Sequence, residues 1–274
     1  MLGKLIKHDM KAAARGVSSI YLAALIAVAA MGICLFANVG VGKFVSSLLL
    51  IGVSIAAIIV TIVATLGEFR KSVFGDRGYL TNTLPVKGPA LLFSKLLTSM
   101  VWITISYLVV FLCFFLVYYY WTGEDPDSML VMFMDYLPEL GVPSIDVLIT
   151  AFIVIAVKLI FLIVVFVTVV FFALTLSNVR PFSNLGAFGA VLYFFAVFGL
   201  VVFLSSRSER LLTTALLIDA NNAISLTASA AAVEEMRAAG GAAITLTQVY
   251  VEIIAAAVLF VVTAELLDKK VNIK

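Results

Sequence analysis

Few residues in this chain are of a type and spacing suited to covalent chemistry. His8 is the single histidine, set among lysines, and no HExxH, CxxC or clustered-acid pattern supplies further metal ligands. Cys34 and Cys113 both lie inside apolar runs, where a thiol serves as a small buried hydrophobe, so neither a disulfide nor a metal site is expected. Serine and threonine abound, but none has a partner to activate it as a nucleophile. Within apolar runs such hydroxyls bond to a neighbouring carbonyl or helix. There is no GxxxxGK[ST] loop to cradle a nucleotide phosphate. The expectation is a chain with no catalytic residue, no metal and no cofactor, and with any ATP hydrolysis left to another polypeptide.

Two ionisable residues interrupt apolar runs, Lys158 and Glu252. At 1.5 Å per helical residue both fall in the outer half of a bilayer, where an isolated charge costs roughly 3 kcal/mol. Two readings stay open. Either they pair across helices or line a polar translocation path, or Lys158 snorkels and Glu252 reaches outer water.

The elements that hold these residues are set by composition. Of 274 residues, 64% are hydrophobic and 12% charged, against about 25% charged in a soluble domain, which excludes a water-soluble globule. A net charge of +2 is too small to suggest a nucleic-acid partner. At about 20 apolar residues per crossing, the chain reads as an all-α, six-span, single transmembrane domain. The spans fall at about 17–39, 44–66, 96–120, 147–176, 185–204 and 246–267. Residues 1–16, with Lys4, Lys7, Lys11 and Arg15 at helical spacing, read as an amphipathic helix on the cytoplasmic leaflet. The apolar run that follows is too long for a cleavable signal core.

Span three ends in Tyr118, Tyr119, Tyr120 and Trp121, the aromatic cluster of a headgroup interface. Residues 122–146 form an acidic external loop with six carboxylates and no Lys or Arg. Residues 205–245 are too apolar for a free loop and too short or too polar to span. Within them SLTASAAAVEEMRAAGG reads as a short helix at the outer face, with a serine N-cap and two closing glycines. With both termini cytoplasmic, thirteen Lys and Arg lie inside, against Lys43, Arg207, Arg210 and Arg237 outside, which sets the orientation by the positive-inside rule.

The cytoplasmic stretch 67–95, GEFRKSVFGDRGYLTNTLPVKGPALLFSK, is too apolar for a solvated linker and too charged to enter lipid. It calls for a protein partner or for packing beneath the chain's own helices. The string Phe74-Gly-Asp76-Arg-Gly78-Tyr79-Leu80-Thr81-Asn-Thr83-Leu84-Pro85-Val86, with Leu92, Ser94-Lys95-Leu96 and Trp102 after it, closely resembles the cytoplasmic segment of Gram-positive bacterial ABC transporter permeases of the ABC-2 exporter type. The layout of the whole chain is similar to that family.

The resemblance implies a permease of the bacterial cell membrane, paired with a second permease, identical or not, and with two separate ATPase subunits. It implies a coupling helix between spans two and three whose docking surface is Phe74, Asp76, Gly78, Tyr79, Leu80, Thr83, Leu84 and Pro85. It also implies short outer helices at 205–246 that close an exit. Lys87-Gly88-Pro89 and the Ala-rich outer stretch depart mildly from the pattern. The cargo implied is a hydrophobic or amphipathic substrate such as a peptide, lipid or drug. A non-transporting scaffold or sensor of an ABC complex, and an ion-coupled secondary transporter, are the competing readings.

Overall fold

A computed structural model describes residues 2–37, 40–75, 88–122, 145–179, 182–211, 214–219, 223–238 and 242–269. Its long helices are α1 (Leu2–Phe36), α2 (Gly40–Val73), α3 (Gly88–Thr122), α4 (Ile145–Leu176) and α5 (Gly186–Leu211), the last entered through a 3-10 turn at Phe182–Leu185. Strands β1 (Ala215–Ile218) and β2 (Ile224–Thr227), helix α6 (Ala230–Ala238), strand β3 (Ala242–Thr245) and helix α7 (Thr247–Lys269) complete the order. Among the described residues, the six long helices, all but α6, are long and apolar enough to cross a membrane. The protein is therefore a polytopic, predominantly α-helical membrane protein.

The chain forms two units, the first being 1–123, 170–190 and 260–274, and the second 124–169 and 191–259. In the first, α1, α2 and α3 pack against one another pairwise. The packing surface of α2 inverts the pattern of a water-soluble helix. Its buried face carries Ser46, Ser47, Ser54, Ala57, Thr61, Thr65 and Ser72, while Leu48, Leu49, Ile55, Ile59 and Val63 are about half exposed or more. In lipid, burying aliphatic surface brings no gain, so small residues that let backbones approach occupy the interface. Gly16 of α1 shows how close that approach is, since a Cβ there would stand 3.1 Å from the Ala64 methyl. Aliphatic packing enters further along, where Ala27 and Met31 of α1, Leu50 of α2 and Cys113 of α3 form a buried cluster. Cys113 is thus the buried small hydrophobe expected, and both cysteines are free thiols.

Several expected boundaries move. Residues 1–16 and the first span are one unbroken helix, because nothing between Leu2 and Phe36 breaks it and Asp9, Ala12, Ala13 and Val17 are all buried. Helices α2 and α3 run past the expected spans, forward to Val73 and back to Gly88. Most of 67–95 is therefore helical continuation, with Pro89 in the first turn of α3, where a missing N–H costs nothing.

In the second unit, Val165 and Val169 of α4, Val201 of α5 and Ala256 of α7 share a buried cluster. Phe194 of α5 reinforces it, edge-on to Phe166 and stacked on Phe198. The stretch after α5 corrects the purely helical expectation for 205–245. It is a three-stranded antiparallel sheet of order β2-β1-β3, with Ala215 opposite Thr227 on one side and Thr245 on the other. Helix α6 packs on it through Val233, against Ala215 and Leu217. The short helix exists, but it starts at Ala230 and its cap is Ser229, whose Oγ accepts the Ala232 N–H at 3.4 Å. The serine at 225 lies in a strand instead, because the apolar run at 215–218 supplies a ladder for two flanking segments rich in Ile and Thr.

Candidate functional site

Of the docking residues, Asp76, Gly78, Tyr79, Leu80, Thr83, Leu84 and Pro85 lie outside the described residues. Phe74 lies within them, edge-on to Phe69 with ring centroids 6.0 Å apart. Phe69 has no exposed surface and stacks on Phe171, 3.9 Å between centroids and 11° from parallel. The last turn of α2 is therefore nailed down by an aromatic sandwich just where the segment 76–87 begins.

The other flank is fixed by charge. The Gly88 N–H, first of the unsatisfied donors at the start of α3, is accepted by Asp268 Oδ1 of α7 at 2.9 Å. A Cβ at Gly88 would overlap that carboxylate, so any side chain there would push Asp268 off the N–H it caps. Two turns along α3, Lys95 donates to Asp9 Oδ1 at 2.6 Å and Ser94 donates to Asp9 Oδ2 at 2.6 Å. Both carboxylate oxygens are thus engaged. Asp9 and Lys95 are 4% and 8% exposed, so this is a buried ion pair with a supporting hydroxyl, the geometry in which such a pair offsets its desolvation. Around it Thr65, Glu68, Thr98 and Ser99 line a cavity of about 10 Å³, close to the lower limit for one water. Thr98 Oγ1 is buried there with no hydrogen-bond partner among the described residues.

Sequence reasoning met Lys95 as an inside cation and within the family-like string, but gave it no partner and passed over Asp9 and Asp268. The available signal was that Asp9 is the lone acid in KLIKHDMKAAAR, at the point where the buried face of α1 continues through Ala12, Ala13 and Val17. The hydroxyl node in the middle of the same unit was also missed. Ser106 of α3 hydrogen-bonds both Tyr21 of α1 and Thr61 of α2, each at 2.6 Å, and Tyr21 stacks on Trp102.

In the second unit, Lys158 of α4 donates to Thr245 O at 3.4 Å and to Gln248 Oε1 at 3.3 Å. Glu252 lies four residues after Gln248, on the same face of α7. It is 9% exposed, and its Oε2 is buried with no hydrogen-bond partner among the described residues. The Lys158 ammonium is near enough to act on this carboxylate electrostatically, but the hydrogen bonds it makes are to the amide and the carbonyl. Lys158 is thus satisfied by the amide and the carbonyl, while Glu252 stands one turn further along α7. Among the described residues no three metal-ligating side chains gather. No protein-family model, curated protein or solved structure matches the chain.

Proposed function

We propose that this chain is the membrane-embedded subunit of an ATP-driven exporter, a permease of the ABC-2 type, in a bacterial cell membrane with both termini cytoplasmic. It works with a second permease and two separate ATPase subunits, and it moves a hydrophobic or amphipathic substrate by alternating access. One observation carries the reading. The two helices that flank residues 76–87 are both anchored at that end, α2 by the Phe74–Phe69–Phe171 sandwich and α3 by Asp268 and Asp9. A motor gripping the intervening segment would push on a stiff base whose load passes directly into two membrane helices. Differential contact of that segment with two ATPase states is what biases two membrane conformations. The aromatic and aliphatic content of the segment itself, Tyr79, Leu80 and Leu84, suits an interface anchor.

The test is co-purification in detergent with the candidate ATPase. Tyr79→Ala or Leu84→Asp is expected to abolish ATPase recovery and transport, with membrane insertion unchanged. Retention of both functions in both variants overturns the docking role. The unpartnered Glu252 oxygen favours one competing reading, an ion-coupled transporter. Solute movement by the purified chain under an ion gradient without ATP would establish that reading instead.

A further inference from the structure

Between α5 and α7 the second unit carries an open groove of about 560 Å³. Its walls are aliphatic, with Val197, Leu200 and Leu204 from one helix and Val251, Ile254 and Val258 from the other. Its one strongly polar end is formed by Arg207 and Ser208. No carboxylate among the described residues pairs with Arg207. Its guanidinium carbon sits 5.2 Å from the Phe203 ring centroid, a cation–π contact that holds the charge at the groove mouth.

Depth and charge together specify an occupant. From Val197 to Arg207 the groove follows ten residues of helix, roughly 15 Å, which is half of a hydrocarbon core of about 30 Å. Arg207 and Ser208 close the apolar span Phe188–Ser208, so the cation stands at headgroup level and the groove ends near mid-membrane. A helix from a second copy would bury a seam through both leaflets. A groove one leaflet deep, capped by a guanidinium that pairs with no carboxylate among the described residues, matches a lipid tail with an anion at its head.

We propose that this groove seats one acyl chain of an anionic phospholipid, with the phosphate held by the Arg207 guanidinium. Guanidinium is the side chain best matched to phosphate, through two parallel N–H donors. The inference goes beyond the exporter reading and does not depend on it, since neither ATPase docking nor cargo enters the argument.

The experiment uses the full chain purified in neutral detergent and titrated with phosphatidylglycerol or phosphatidylcholine of identical tails, with bound lipid counted by native mass spectrometry. The wild type should prefer phosphatidylglycerol about fivefold, the effect of one basic residue at a membrane surface. Arg207→Gln should erase that preference and Arg207→Lys should keep part of it. Ile254→Trp, at a groove position already 64% exposed, should reduce occupancy by both lipids. It also decides the matter if the arginine variants do not fold. Equal binding of the two lipids by wild type, or unchanged binding in Ile254→Trp, overturns the proposal. So does a dimer lost in Ile254→Trp with lipid counts unaltered, because that result assigns the groove to a second copy.

Discussion

Replacing Lys95 with methionine removes the cation from a carboxylate that is 4% exposed and has one other partner, the Ser94 hydroxyl. Methionine fills most of the lysine stem, so the packing of α3 survives and the loss is electrostatic. An uncompensated buried charge of this kind costs about 3–5 kcal/mol, far above the 0–1 kcal/mol or so of a surface pair. In a chain of this size that corresponds to a fall in thermal midpoint on the order of 10 °C. The assay is thermal unfolding in detergent, followed by intrinsic fluorescence and by retention of the monodisperse peak. Asp9→Leu alone should cost a similar amount, since it strands the ammonium. The double variant Asp9→Leu, Lys95→Met should be markedly more stable than the sum of the singles predicts, because no buried charge is left. Singles that cost under about 1 kcal/mol, or a strictly additive double, would refute the claim that the pair is buried and coupled.

Three further outcomes follow. Asp268→Ala should destabilise by about 1 kcal/mol, the cost of losing an N-terminal cap, and Gly88→Ala should do at least as much by driving its methyl into the same carboxylate; detergent melting of both variants checks this. Ser106→Ala removes both interhelical hydrogen bonds of the Tyr21–Ser106–Thr61 node and should cost roughly 1 kcal/mol, near 0.6 for each bond in a membrane interior, with Thr61→Val nearly non-additive to it in a double-mutant cycle. Lys158→Met frees Gln248 and leaves Glu252 without its cation, so transport or folding should fail in the single variant and return in Lys158→Met, Glu252→Met; a fully active single variant would show that the cluster carries nothing.

The sequence made the six spans legible because hydropathy at membrane scale is a strong, long-window signal that tertiary context does not override. It did not reveal helix ends. In the stretches GEFRKSV and GPALLFSK the charges read as the exit from lipid, yet Gly67 is carried within α2 and Pro89 falls in the first turn of α3, and a helix stabilised by its neighbours runs on past the hydrocarbon. Asp9 and Asp268 were hidden for a related reason. Each sits among basic residues in a terminal stretch that looks solvated, and its role comes from a partner 86 or 180 residues away in sequence. The sheet at 215–245 was missed because its strands have four residues each, too few for an alternation pattern to rise above an Ala-rich background. Lys158 and Glu252 were conspicuous as charges in apolar runs, but Gln248, which accepts from Lys158, carries no charge to draw the eye.

The hydroxyl face of α2 has a mechanical corollary. Ser46, Ser47, Ser54, Thr65 and Ser72 each donate to a carbonyl of their own helix three or four residues back. Displacing α2 lengthwise past its neighbours would therefore leave those bonds intact, whereas Leu50 and Phe69, both fully buried, would have to leave their seats. The bond from Thr61 to Ser106 differs from them in crossing to a neighbouring helix, a rivet through the hydroxyl face. Sliding of α2 is thus resisted by that rivet, by the seat of Leu50 and by the Phe69–Phe171 stack, and not by its row of self-bonded hydroxyls.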